Sequence, residues 1–401
     1  MIEEFKPIYK LKEELISFLR ERGKISERNL RFIVSPYRIC PLGAHIDHQG
    51  GPVLGMTINA YTVLAFIPIK KPEVKLFSLN FPGKVEFDFK RIGPPNFNDW
   101  GRYARGAARV LDNLRVLSHG FVGAVNGTLP SSGLSSSASV GLSYLHALAD
   151  VNELHFSKND FVQLDRRLEN EYIGLQNGIL DQSTILNGRK DHILYINTIS
   201  SEVKSVKRPN DSDEFKIIIV HSGFSRELTS SDFNIRVNEC KRVSEELGRM
   251  GGFESANILS DVPEDVYKRN RSSLPENLMK RADHYFSEVR CVEEGFKYWE
   301  SGDWINFGRL MNQSCKSSIE NYESGSPALI KLQEIFRETS NVYGSRFCGG
   351  GYGGCVVGIA KPEFSEEDSS NLLENYLIRI PEAKGKAAVY EVKSDDGIRF
   401  L

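Results

Sequence analysis

Residues 129–139, LPSSGLSSSAS, constrain the chain more than any other stretch. They follow an apolar, strand-like run at 121–125 and precede the helix-like VGLSYLHALA. A loop of small residues between a strand and a helix N-terminus points several unpaired backbone N–H groups the same way, and the helix dipole adds positive potential there. Such a place suits a polyanion. Gly133 lets backbone come close to a ligand, and Ser135, Ser136 and Ser137 add short hydroxyls able to donate, accept or ligate a metal. The loop is not a Walker A sequence, since no Lys follows the glycine as that motif requires. A serine-rich helix cap without a ligand is the alternative that the stretch alone leaves open.

The surrounding pattern predicts an α+β chain. Apolar residues recur at helical spacing over 5–20, strand-like segments follow at 31–34, 53–68, 74–79 and 85–89, and DWGRYARGAARVLDNL starts a helix at Asp99. After the serine loop come a helix over 158–172 and a strand over 192–196. The polar segment 200–214 then marks a boundary between two domains, 1–205 and 206–401. Beyond it the pattern predicts the strand FKIIIVHSG, long helical regions over 232–250 and 274–337, and strands at 343–347 and CVVGIA. A helix at 366–378 and a strand at 387–392 close the chain. Hairpin-like strand pairs and long helical runs favour α+β over a doubly wound sheet.

Composition excludes several classes. A formal net charge of -2 supplies no field for nucleic acid or an acidic membrane. The six cysteines are spread without CxxC or metal spacing, no run is long and apolar enough to span a bilayer, and the charged N-terminus lacks a signal-peptide core. These features predict a cytoplasmic protein with reduced thiols.

Three more stretches bear chemistry. SPYRICPLGAHIDHQGG, 35–51, gathers Arg38, His45, Asp47 and His48, a set suited to phosphate on one side and sugar hydroxyls on the other; an ordinary polar loop is the alternative. LENEYIGLQNGILDQ, 168–182, holds Asp181 in an apolar run with Glu169 upstream, and a carboxylate so placed faces a cation, a substrate hydroxyl or a helix N-terminus. SRFCGGGYGGC, 345–355, leaves room for little but backbone beside a ligand, unless it is simply a turn between strands.

In order and spacing these stretches resemble the GHMP kinase superfamily, in its galactokinase branch, over most of the chain. PYR…GAHID, GLSSSA, GILDQ and GGGYGGC stand where the family has Pro-x-Arg…Gly-Glu-His-Thr-Asp, Gly-Leu-Ser-Ser-Ser-Ala, Gly-Ile-Met-Asp-Gln and Gly-Ala-Gly-Phe-Gly-Gly-Cys. WGRY at 100–103 and FNIRVNEC at 233–240 are further landmarks. The resemblance implies a two-domain fold with the active site between domains, ATP and Mg²⁺ as cofactors, and transfer to a sugar's anomeric hydroxyl. It assigns Asp181 as the catalytic carboxylate, Arg38 as its cationic partner, and Ser136 with Glu169 as metal ligands. Gly133, Leu134, Ser135, Ser136 and Ser137 wrap the ATP phosphates, and Trp100 stands on the nucleotide side. His45 and Asp47 contact sugar hydroxyls, while Gly349 and Gly350 close near substrate and phosphate.

Ala44 is the informative departure, because galactokinases carry there a Glu that binds the sugar's C6 hydroxyl. Two carboxylates about 4 Å apart at an effective dielectric near 20 repel by roughly 4 kcal/mol, an upper limit close to a thousandfold. Ala lifts that repulsion and admits a C6 carboxylate, which points to galacturonic acid; the 35–51 stretch and NGILDQS are also similar to plant-type galacturonokinases. Arg226 and Arg236 are candidates for the counter-charge. Phe233 replaces a sugar-contacting Tyr, which loosens selection at one ring position. Tyr37 and Gly350 also depart from the family pattern, and nothing in the sequence explains them. A galactokinase or broad-range sugar kinase is the alternative within enzymes. A non-catalytic sugar and ATP sensor is the alternative outside them, against which stands the presence of Arg38, Ser136, Glu169 and Asp181.

Overall fold

The computed structural model describes residues 2–23, 29–96, 98–115, 117–129, 132–210, 212–225, 232–253 and 255–401. Strand Val53–Ile69 is the axis of the first sheet. Its VLGMTINAYTVLAFIPI is apolar nearly throughout because both faces are covered. It pairs antiparallel with Arg31–Leu42 along one side; on the other, its N-terminal part pairs with His192–Ile196 and its C-terminal part with Gly120–Gly127. Strands Glu73–Ser78, Lys84–Asp88, Val203–Lys207 and Arg399–Phe400 complete the sheet. Helices Arg102–Asp112, Ser136–Val151 and Lys158–Arg167 join one large core, with Phe66, Phe121, Leu142 and Leu145 among its members. Helix Ile8–Glu21 sets Leu11, Leu15 and Leu19, spaced by four, against Val34, Val63 and Ala65.

The second sheet runs in the order Ile2–Glu3, Ala388–Val392, Lys216–His221, Cys355–Ala360, Val342–Phe347. Helices Phe233–Gly251, Glu276–Ser301, Trp304–Glu320, Pro327–Glu338 and Glu366–Arg379 belong to this half. One apolar cluster unites the two sheets, with Leu54, Met56 and Ile58 from the first and Ile217, Ile219 and Val357 from the second; Leu134 and Cys348 are in it too. No helix among the described residues is long and apolar enough to cross a membrane.

Element types follow the sequence reading, and the differences have physical causes. The strand read as ending at 34 continues to Leu42, with the register shifting between Pro36 and Tyr37, where proline's missing N–H interrupts the ladder. The helix read over 158–172 changes at Leu168 into six residues of wider π-helix, which carry Glu169. The 205/206 boundary falls inside strand Val203–Lys207, and each terminus crosses over: Ile2–Glu3 pairs in the second sheet and Arg399–Phe400 in the first.

Candidate active site

Arg38 sits in mid-strand and is almost wholly enclosed. Its Nε donates to Asp181 Oδ1 at 2.7 Å, its Nη1 donates to the Gly133 carbonyl at 3.2 Å, and its backbone N–H donates to the Leu134 carbonyl at 3.1 Å. One side chain thus ties the serine loop to the helix Leu180–Asn187, which holds Asp181 in its first turn. Burial works against the guanidinium charge, but Asp181 beside it more than compensates, so its pKa lies above the ordinary value. Asp181 keeps a fifth of its side chain exposed and is therefore reachable from solvent.

The two glycine-bearing loops meet backbone to backbone. A Cβ on Gly349 would lie 2.7 Å from the Gly133 carbonyl oxygen, and one on Gly354 only 2.1 Å from that of Ser132. The glycines of 349–354 are what permits this approach, and Gly349 has φ 68. Gly350 is buried beside it. Residues 130 and 131 of the serine stretch lie outside the described residues. Ser135 precedes the helix Ser136–Val151 with φ 57, a strained setting for a non-glycine, and its buried hydroxyl has no partner.

Glu169 is buried, takes a hydrogen bond from Asn177 through Oε2, and leaves Oε1 without a donor. Ser137 lies beside it and beside Tyr103, while Ser136 is the first residue of the helix. Burial first, then the charge of Asp181, raises the Glu169 carboxyl above its ordinary value. An unpartnered carboxylate oxygen at a helix start lined with hydroxyls fits a hard cation shared with phosphate. Trp100 donates its indole N–H to the Pro82 carbonyl at 3.1 Å and stacks on Phe81 at 6.4 Å between ring centres.

The other predicted residues gather around Tyr322. His45, with φ 65, stacks on the Tyr322 ring at 4.4 Å, and its Nε2 lies 3.4 Å from Ser324 Oγ. His48 Nε2 lies 3.1 Å from the Tyr322 hydroxyl, and the Gln49 amide donates to His48 Nδ1 at 3.0 Å. The Ala44 carbonyl accepts from His284 Nε2 at 3.0 Å, and His284 Nδ1 lies 3.0 Å from Ser317 Oγ. Burial holds all three imidazoles neutral, taking His48 and His284 down to about 3. Phe233 opens helix Phe233–Gly251 and approaches the rings of His45 and His48 at 6.4 and 6.1 Å. Asp47 is half-buried and accepts the Leu180 N–H at 3.2 Å; a Cβ on Gly178 would lie 2.4 Å from its Oδ2.

Below Ala44, Glu288 accepts from the Gly43 N–H at 2.9 Å and from Ser314 Oγ at 2.8 Å, facing the buried Arg346 at 3.8 Å. Arg236 pairs with Glu239 at 3.0 Å and Glu323 at 3.5 Å, while its buried Nε–H has no partner. Arg226 lies outside the described residues. Tyr322, His284, Glu288 and Arg346 were not singled out from sequence; Arg346 stands inside the glycine-rich stretch, His284 and Glu288 lie in helix Glu276–Ser301, and Tyr322 lies in the turn after helix Trp304–Glu320, with no local signal.

The chain matches the GHMP kinases N terminal domain over residues 102–189, which hold the serine loop, Glu169 and Asp181, and the GHMP kinases C terminal domain over residues 294–376. It is 40% identical to a galacturonokinase of Arabidopsis thaliana over 407 aligned residues, covering 95% of each chain. It is 32% identical to a galactokinase of Streptococcus suis, covering 85% of this chain and 88% of that one. The crystal structure of Lactococcus lactis galactokinase complexed with galactose superposes with a TM-score of 0.88 at 28% identity, over 98% of this chain and all of that one. A mevalonate kinase shares the fold, with a TM-score of 0.62 at 18% identity over 91% of this chain and 99% of the other.

Proposed function

The chain belongs to the GHMP kinase family, whose members are phosphotransferases that use ATP, and we propose that it acts on D-galacturonic acid. It moves the γ-phosphoryl group of ATP to the sugar's anomeric hydroxyl and releases galacturonate 1-phosphate.

Phosphoryl transfer needs positioning and charge neutralisation more than covalent help. The N–H groups of 133–137 and the start of helix Ser136–Val151 hold the ATP phosphates, with Trp100 on the nucleotide side. Ser136 and Glu169 would hold Mg²⁺, which would supply charge neutralisation at the phosphates. Asp181 accepts or orients the proton of the anomeric hydroxyl, and Arg38 fixes its position. His45 and Asp47 take sugar hydroxyls, with Phe233, Gly349 and Gly350 bounding the substrate. A cytoplasmic location accords with the need for ATP.

One observation carries the choice of uronate: Ala44 stands where galactokinases have a carboxylate, in a chain 40% identical to a galacturonokinase. Among the described residues, the groups around position 44 are neutral imidazole, phenol and hydroxyl, apart from the Glu288–Arg346 pair beneath it. Support for a counter-charge comes from Arg236, one helical turn past Phe233, with its buried Nε–H unengaged. Around it Arg236, Arg281 and Lys280 pair with Glu239, Glu323 and Glu276, so three cations stand against three anions and only the Arg236 Nε–H is left over.

The test is ADP release from MgATP with galacturonate, glucuronate, galactose and glucose in parallel. Preference for galacturonate is the expected result. Preference for galactose keeps the kinase and overturns the role of Ala44. ATP-dependent sugar binding without turnover makes the protein a sensor.

A further inference from the structure

The helix of Asp181 is held at its far end by residues remote in sequence. The last carbonyls of a helix have no partner within it. Here the Ile185 carbonyl accepts the Ile398 N–H at 3.0 Å, and the Gly188 carbonyl just beyond the helix accepts the Gly397 N–H at 2.9 Å. Gly397 is buried, and a Cβ on it would lie 2.6 Å from the Ile185 carbonyl oxygen, so no side chain fits there unless backbone moves. The residues after the helix are held as well. Asp396 Oδ1 accepts the Lys190 N–H at 3.1 Å, and Ser394 Oγ accepts the Asp191 N–H at 2.8 Å.

The same short segment grips the backbone beside Arg38. Thr57, buried, is the cross-strand neighbour of Arg38. Its Oγ1 donates to the Asp395 carbonyl at 2.5 Å, and its own carbonyl accepts the Asp395 N–H at 3.2 Å. Tyr61 donates to Asp395 Oδ2 at 2.5 Å, and Arg399 pairs with that carboxylate at 3.1 Å. Arg399 and Phe400 then pair with Val34 and Ile33, in the strand that carries Arg38. Residues 394–400 therefore form a strap. It leaves strand Ala388–Val392 of the second sheet and joins the two elements of the first half whose side chains meet in the Arg38–Asp181 ion pair. An ion pair places its atoms only as well as the two backbones behind it are placed.

We propose that residues 394–398 are a positioning element for phosphoryl transfer, setting from behind the spacing between the Asp181 helix and the strands at Arg38 and Thr57. The inference rests on the reading of Asp181 as the residue at the anomeric hydroxyl. Gly397 and Thr57 are then positioning residues that act through Asp181. A displacement of about 1 Å at a reacting group can cost on the order of a hundredfold in rate, so a strap remote from the substrate has leverage over the transfer step.

A double-mutant cycle on the full chain separates positioning from stability. Single-turnover phosphoryl transfer from MgATP, to the sugar the wild type uses fastest, is measured for the wild type, Gly397→Ala, Asp181→Ala and the double variant, with ATP affinity by calorimetry. Single-turnover kinetics report the chemical step apart from binding and product release. Gly397→Ala should slow transfer by about 10- to 100-fold and bind ATP as the wild type does. Because it acts through Asp181, the double variant should be no slower than Asp181→Ala alone. Losses that multiply overturn the proposal, since the strap would then act on another group. Unchanged transfer in Gly397→Ala, with only a lower melting temperature, also overturns it and leaves the strap a structural closure; a slow Asp181→Ala beside it keeps the catalytic reading. Full activity in Asp181→Ala removes that reading and this proposal with it. If Gly397→Ala does not fold, Thr57→Val takes its place in the cycle. Loss of the bond to the Asp395 carbonyl should then slow transfer in the same non-additive way, and unaltered transfer overturns the proposal.

Discussion

The two sides of the candidate site follow opposite electrostatic plans. Around Gly133, Glu169 and Asp181, acids are concentrated and only partly met: Arg38 answers Asp181, but Glu169 and Asp165 keep unpartnered oxygens, and Ser135 is held at positive φ. Around Ala44 and Phe233 the ionisable rings are neutral, and His48 and His284 are engaged at both nitrogens. His45 is stacked flat on Tyr322. Under the proposed function, a site for phosphoryl transfer works through charges that an incoming ligand and metal balance, so unfilled valences there are what the reaction would use. A site that selects a sugar works through shape and a few fixed hydrogen bonds, so its groups are settled before the ligand arrives. On this reading, substitutions on the first side alter rate for every substrate, and substitutions on the second alter the choice among substrates.

The strongest break in that contrast comes from Asp181→Ala. It should lower kcat by roughly 10² to 10⁴ with every sugar while the protein still folds and binds ATP, as steady-state ADP release and calorimetry with ATP would establish. Unchanged turnover would remove the catalytic assignment. Next in size is Ala44→Glu, which should reduce kcat/KM for galacturonate by up to about a thousandfold, from roughly 4 kcal/mol of repulsion, and spare galactose. Equal losses on both sugars would mean that residue 44 does not face C6. Gly349→Ala should act on both sides at once. Its Cβ would press on the Gly133 carbonyl from a backbone at φ 68, costing about 1–3 kcal/mol in strain and raising KM for ATP and sugar together. A lower melting temperature with both KM values intact would show the two loops to be a purely structural contact.

Much of the first side was legible because its chemistry lies in short, dense stretches. The small-residue loop, Glu169 and Asp181 announce themselves by residue type against an apolar background. The pairing of Arg38 with Asp181 was legible from the resemblance, but the place of Arg38 in mid-strand was not, because Pro36 reads as a chain break and is in fact accommodated at a shift of register. The second side was hidden for a different reason. His284, in a helix, and Tyr322, in the turn after the next one, lie more than 200 residues beyond Ala44, and only tertiary packing brings them against His45. Asp165 was masked by its company: DRRLENE reads as a solvated helix face, and burial alone reveals that one of its acids points inward.

Asp47 is the exception that sharpens the comparison, being an acid on the neutral side. Burial first, then the charge of Asp181, raises its pKa to about 6, against only the N–H groups of Leu180 and His48 and the charge of Arg38. With MgATP saturating, kcat/KM for the sugar should fall as pH drops below about 6, by about tenfold per unit, as the carboxylate proposed to accept from the sugar is lost. Stability moves the other way. A carboxyl whose folded pKa exceeds its unfolded value binds more protons when folded, so its contribution to stability declines as pH rises from about 4 to about 6 and is flat above. Activity and this part of stability therefore change in opposite directions across one window, which acid unfolding cannot imitate. Asp47→Asn should lower kcat/KM at neutral pH and flatten the limb near pH 6. A limb that survives in Asp47→Asn assigns the titration to another group and returns Asp47 to a structural cap on Leu180.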